Sequence, residues 1–180
     1  MKLYDIPMIP ARHYTPANRT KVDLIVLHTT ENKQRPGLAK DVALWFASRL
    51  SSRASCHYVV DDAEVFRCVL ETDVSWCGPG SNANGIHIEH CGQASQSWDD
   101  DYSRKMLLRS VDLAAQLCLK WSIPPVLLSA DGLTQKLRGI TTHAAVSEAF
   151  KKSNHTDPGP FFPVDWYVTS VEMRMCELDR

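Results

Sequence analysis

Short apolar runs alternate with stretches of helical period along this 180-residue chain, and that alternation confines it to an α/β arrangement. The run Asp23-Leu-Ile-Val-Leu-His28 is predicted as a buried strand ending in a histidine. Ser55–Val60 reads as a second strand, Asp61-Asp62-Ala63 as a turn, and Glu64–Leu70 as the return strand of a hairpin. Gly85–His90 (GIHIEH) alternates, with His87 and Glu89 on one face and Ile86, Ile88 and His90 on the other. Leu38–Leu50 carries Leu38, Val42, Trp45, Phe46 and Leu50 at helical spacing. Tyr102–Trp121 is the longest predicted helix; Asp99-Asp100-Asp101 suits its N-terminus and Pro124-Pro125 stops it. Ala144–Phe150 is a short helix, and Pro163–Leu178 a last one with Trp166, Val168, Val171 and Met175 inward. Trp45, Phe46, Trp121 and Trp166 are thereby assigned to the core. The expectation is one α/β domain, a central mixed β-sheet flanked by helices. Residues 1–22, rich in Pro and charge, are expected as a surface N-terminal arm, and 23–180 as the domain proper.

At roughly 150 residues per domain the length fits a single unit that needs neither disulfide nor metal merely to hold a core. Apolar residues make up 44% and charged residues 23%, which excludes a disordered chain. A net charge of -1 argues against nucleic acid as the main partner. No run approaches the roughly 18 apolar residues of a membrane span. The N-terminus, interrupted by Pro7 and Pro10, has no apolar core of a signal peptide. The six cysteines form no C-x-x-C pair and are expected as reduced packing residues.

Three segments carry candidate chemistry: IVLHTTE (25–31), GITTHAAVS (139–147) and NHTDPGPFFP (154–163). They place His28 at a strand end, His143 just before a short helix, and His155 and Asp157 in a rigid Pro/Gly loop. Two imidazoles and a carboxylate suit a zinc site in a surface cleft with one open position, and His28, His143 and Asp157 supply that set. Spacing alone leaves open whether these are metal ligands or ordinary polar residues at element ends.

These segments resemble the type 2 N-acetylmuramoyl-L-alanine amidases, which include the T7-type phage lysozyme and the peptidoglycan-recognition proteins. They are most similar to amidase modules in endolysins of phages infecting mycobacteria and related actinobacteria. VDLIVLHTTE, ALWFASRLSSRASCHYVVD, GPGSNANGIHIE, DYSRKML, GITTHAAVS and HTDPGPFFP match in order from Val22 to Tyr167. The resemblance implies that His28, His143 and Asp157 bind Zn²⁺ and that Glu89 is the catalytic glutamate. It puts His155 where many members have Lys. Cys56 stands where the T7-type branch has a catalytic Tyr, so glutamate-assisted catalysis is expected. Cys77 follows Trp76 where relatives often have His, and His87 replaces a commoner small residue.

Around this set, His57 is expected as a buried, hydrogen-bonded neighbour of the metal, and Thr29 as part of the same surroundings. Trp76, Asn82 and Asn84 are candidates for a groove wall holding sugar and peptide, and His87 lines the cleft if Glu89 faces it. The implied reaction is hydrolysis of the amide between N-acetylmuramic acid and L-alanine in peptidoglycan. The protein would be a monomeric phage endolysin, made in the host cytoplasm without a signal peptide and acting on the wall after release. Two alternatives use the same residues: a cytoplasmic amidase recycling anhydro-muropeptides, and a non-catalytic peptidoglycan-binding module.

Overall fold

The computed structural model describes residues 2–50 and 53–180; Met1 of the predicted arm and Ser51-Ser52 of the matching RLSSRASC segment lie outside the described residues. In chain order the strands are β1 (Tyr14–Thr15), β2 (Leu24–Thr29), β3 (Tyr58–Val60), β4 (Val65–Arg67), β5 (Val74–Ser75), β6 (Gly85–His90) and β7 (Gly139–Thr142). The helices are α1 (Leu38–Ala47), α2 (Asp101–Trp121), α3 (Ala130–Thr134), α4 (His143–Phe150) and α5 (Val164–Leu178). Five strands form the central sheet in the order β4-β3-β6-β2-β7; β4 is antiparallel to β3 and the other pairings are parallel. The sheet is therefore mixed, as expected. β1 and β5 form a separate two-stranded ladder.

Every residue of β2 is buried, which is why its sequence is continuously apolar until the terminal His-Thr. Cross-strand register puts Val26 opposite His87 and His28 opposite Glu89, so these four share one face. On that face Leu24 and Val26 pack with Leu128, Leu133 and Val146 under α3 and α4. On the opposite face His90 Nε2 meets Ser110 Oγ of α2 at 2.7 Å, and Ser110 meets the Tyr167 hydroxyl of α5 at 2.7 Å. Ile25, Leu27, Ile86, Ile88 and Ile140 belong to the main core, with Leu113, Leu117 and Val171.

Sequence and structure part at several points. β7 carries Thr141 and Thr142 rather than an apolar run, and forms through parallel pairing with β2 and the Ile140 N–H bond to the Val126 carbonyl. The predicted strand Glu64–Leu70 contracts to β4. The helix predicted to Leu50 stops at Ala47, where Ser48 donates its N–H and hydroxyl to the Trp45 carbonyl; Leu50 is 87% exposed. Trp45 and Trp166 are not core residues: each sits on the flank of its helical stripe and is exposed, whereas Phe46 is buried and Trp121 is partly so. The buried face of α5 is Tyr167, Val168 and Val171.

The Pro-rich N-terminal segment does not lie wholly on the surface as expected: it contributes Ile6, Ala11 and Val22 to the core. It runs beside β4, with Ile9 N–H donating to the Arg67 carbonyl and Ala11 N–H to that of Cys68. All six cysteines are free; Cys56, Cys68, Cys91 and Cys118 are buried, which fits their expected packing role. Among the described residues no helix is long and apolar enough to cross a membrane.

Candidate active site and metal centre

Parallel strands present their C-terminal ends along one edge of the sheet, and the site lies there. β2 delivers His28, and its neighbour β6 delivers Glu89 in register beside it. His143 is the first residue of α4, whose N-cap Thr142 accepts the Ala145 N–H through its hydroxyl. Asp157 comes from the loop 154–160, tied down by a bond from Ala144 N–H to the Asp157 carbonyl at 2.9 Å. Gly159, at φ +88°, presses that loop onto the Ala94 carbonyl so closely that any Cβ would overlap it.

The three side chains converge on one point. Nδ1 of His28 lies 3.1 Å from Nδ1 of His143 and 3.3 Å from Oδ2 of Asp157. Nδ1 of His143 lies 3.1 Å from Oδ1 of Asp157. Bonds of about 2.0–2.1 Å to a tetrahedral zinc place neighbouring ligand atoms about 3.3 Å apart, so the donor set and its spacing fit that ion. Lone pairs brought this close also need a shared cation or proton between them. All three residues are buried. Burial favours neutral His28 and lowers its pKa, although Asp157 opposes this. Burial would raise the Asp157 pKa, but hydrogen bonds with His143 and His28 prevail and hold it below the ordinary carboxylate range. The Thr29 N–H, 3.4 Å from Asp157 Oδ2, supports the same carboxylate.

Glu89 is half-buried on the cleft floor. Its Oε1 accepts from Cys77 Sγ at 3.5 Å, while Oε2 is buried with no hydrogen-bond partner among the described residues. Burial, then the nearby Asp157 charge, pushes its pKa up to about 8. His155 is exposed and stacks on His143, ring centroids 4.2 Å apart, with Nδ1 3.5 Å from Asp157 Oδ1. The cleft above has a volume of about 700 Å³. Its rim includes Trp76, which is braced by an indole N–H bond to Thr15 Oγ1 at 2.9 Å and by stacking on His13.

The other expected residues divide. Thr29 and Trp76 line the cleft. His87 shares the face of Glu89 but lies fully buried beneath His28 rather than on the cleft wall, because it sits one register row back. Burial, reinforced by His28 and His57, lowers its pKa well below the ordinary histidine value. His57 is buried and hydrogen-bonded as expected: its Nδ1 accepts the His87 main-chain N–H at 3.0 Å. Asn84 is not in the groove. It precedes β6 at the opposite end from Glu89, roughly 16 Å away at about 3.3 Å per residue, and its carbonyl accepts from Asp23 and Leu24. Asn82 accepts the Cys77 and Gly78 N–H groups and is likewise a loop-shaping residue.

Sequence reasoning missed several cleft residues, among them Trp45, Arg35, Glu31 and Cys77. The signal for Trp45 was present, since it lies off the axis of the buried Leu38, Ala39, Ala43 and Phe46 face. Glu31 accepts from Thr29 Oγ1 at 2.6 Å and from the Ala94 N–H at 3.0 Å, joining the two loops that flank the site.

Comparison with known proteins agrees with this architecture. The model of the N-acetylmuramoyl-L-alanine amidase family matches residues 18–160. N-acetylmuramoyl-L-alanine amidase A of Achromobacter lyticus is 24% identical over 178 residues, covering 92% of this chain and 90% of its own. Among solved structures, Staphylococcus aureus hydrolase AmiA superposes with a TM-score of 0.75 at 18% identity, over 99% of this chain and 87% of that one. The catalytic domain of PlyG gives 0.65 at 19% identity, with 95% of each chain covered. The endolysin amidase LysCS of Clostridium intestinale gives 0.65 at 16%, over 95% of this chain and 97% of that one. With a family match over most of its length and the matching fold, the chain belongs to the N-acetylmuramoyl-L-alanine amidase family and is an enzyme of that class.

Proposed function

We propose that the protein hydrolyses the amide joining the lactyl group of N-acetylmuramic acid to L-alanine in peptidoglycan, using zinc held by His28, His143 and Asp157. The observation that carries this is the convergence of two imidazole nitrogens and a carboxylate at 3.1–3.3 Å on the cleft floor, with a partly unpartnered Glu89 alongside. Zinc, when bound there, supplies Lewis-acid polarisation of the carbonyl and a lowered pKa for water. Glu89 takes the proton of the attacking water and returns it to the departing amino group of L-alanine. Such general acid–base help contributes roughly 10²–10⁴-fold. A carboxyl pushed up to about 8 is protonated at neutral pH unless positive charge is near, so a cation at the triad favours the basic form that this role needs. His155, exposed at the rim beside His143, donates a hydrogen bond to the tetrahedral oxyanion. Thr29 steadies Asp157, and Trp76 with Trp45 forms walls for the glycan and peptide.

The proposed setting is lysis by a bacteriophage of an actinobacterial host, with a monomeric enzyme reaching the wall after release from the cell that makes it. Its support is the sequence resemblance to such lysins and a fold shared with the endolysin amidase LysCS. Digestion of purified peptidoglycan tests the chemistry. New L-alanine amino termini without new reducing sugars are expected, and reducing ends alone would refute it. Parallel digestion of soluble anhydro-muropeptide separates wall lysis from recycling. Wall binding without any cleavage by the zinc-loaded protein would indicate a binding module.

A further inference from the structure

The strand alternation that points Glu89 toward the cleft also points His87 the same way, one register row deeper, where its imidazole has no exposure at all. Its Nδ1 lies 2.9 Å from Nε2 of His28. The other nitrogen of His28, Nδ1, faces His143 and Asp157. A neutral imidazole carries one proton, so committing Nδ1 of His28 as a ligand places that proton on Nε2, directed at Nδ1 of His87.

The fold makes specific room for this ring. A Cβ at Gly78 would lie 2.9 Å from His87 Cε1, and one at Gly85 would lie 3.1 Å from its Nε2. The backbone behind it is fixed as well, since the His87 N–H donates to His57 Nδ1 while His57 Nε2 faces the Asp73 carbonyl at 3.2 Å. Packing does not explain an imidazole here. Its Nε2 is buried without a hydrogen-bond partner among the described residues, which costs free energy that an apolar side chain of similar size would avoid.

We propose that His87 is a positioning residue for the metal centre: by accepting the Nε2 proton of His28 it fixes the tautomer and ring orientation that present Nδ1 as a ligand. This role presupposes that His28, His143 and Asp157 hold zinc. Outer partners of metal-bound histidines typically change metal affinity by about 10–100-fold when removed.

Zinc affinity of the full chain, measured by competition with a chromophoric chelator, tests it in the parent, His87→Leu, His87→Asn and His28→Ala. His87→Leu should bind zinc about 10–100-fold more weakly, yet melt no lower than the parent when both are metal-free. His87→Asn, whose Oδ1 takes the place of Nδ1, should recover most of that affinity. Equal affinity of parent and His87→Leu would overturn the proposal, as would an Asn variant no better than Leu. The visible spectrum of the cobalt-loaded protein gives an independent readout. The ligand-field bands should shift in His87→Leu and return in His87→Asn. A thiolate-to-cobalt band lost in Cys77→Ser would overturn the proposal, because His28, His87 and Cys77 would then form a ligand set of their own. No metal binding by the parent, or undiminished binding by His28→Ala, would instead refute the metal centre itself and this role with it.

Discussion

Glu89 shows how one side chain's surroundings decide its chemistry. One carboxylate oxygen meets Cys77 and the other is buried without a partner, so the group is desolvated but reachable from the cleft. Glu89→Gln keeps the shape and removes the proposed base. Release of L-alanine amino termini should fall by at least about 10²-fold, while zinc content by metal analysis stays at the parent level. Retained hydrolysis would remove Glu89 from the mechanism. His155→Ala should lower kcat by roughly 10²–10³-fold with little change in zinc content if it is the proposed oxyanion donor. At this scale much was legible in the sequence, because His28, His143, Asp157 and Glu89 all lie in recognisable short motifs. Cys77 was legible only as a departure from the family pattern; its bond to Glu89 needed the loop 77–85 folded against β6.

Elements hold these residues at fixed separations, and the loop 154–160 is the part most exposed to perturbation. Gly159→Ala places a Cβ against the Ala94 carbonyl at a backbone angle that L-residues avoid. It should destabilise the protein by roughly 1–3 kcal/mol and weaken zinc binding, because Asp157 rides on the same loop. Urea unfolding and chelator competition measure the two effects, and unchanged zinc affinity would uncouple the loop from the site. The N-cap of α2 provides the contrast. Asp100 accepts the Ser103 N–H at 2.8 Å, and Asp100→Ala should cost about 1 kcal/mol while leaving zinc affinity untouched. The long, strongly periodic α2 was fully readable from its pattern. β7 was not, because a four-residue strand with two threonines carries little signal until β2 lies beside it.

Across the whole molecule, the sheet buries a set of histidines that the unfolded chain would expose. Burial, helped by the Arg19 charge, pushes His57 down to about 3, whereas a histidine in the unfolded chain titrates near about 6.5. Between those values the unfolded state binds the extra proton, so stability is full above about 6.5 and falls as pH drops through the interval. From pH 7.5 to pH 5 this residue alone should remove about 2 kcal/mol of stability. Urea midpoints of the chelated protein should decline over that range, and less so in His57→Gln; a pH-independent midpoint would contradict the burial of a neutral imidazole. Zinc added back should raise Tm in a concentration-dependent way, since a ligand of the folded state alone stabilises it by mass action.

By itself the sequence determined the α/β class, the long helix and its cap, the face shared by His87 and Glu89, and the residues with metal-ligand chemistry. Those follow from local periodicity and residue type, which need only neighbours along the chain. Tertiary structure alone decided that His28 and His143, which are 115 positions apart, bring their Nδ1 atoms within 3.1 Å, that Trp45 lines the cleft, and that His87 sits beneath His28. Each of these depends on strand order and cross-strand register, and a register is fixed only when strands distant in sequence bury a common core.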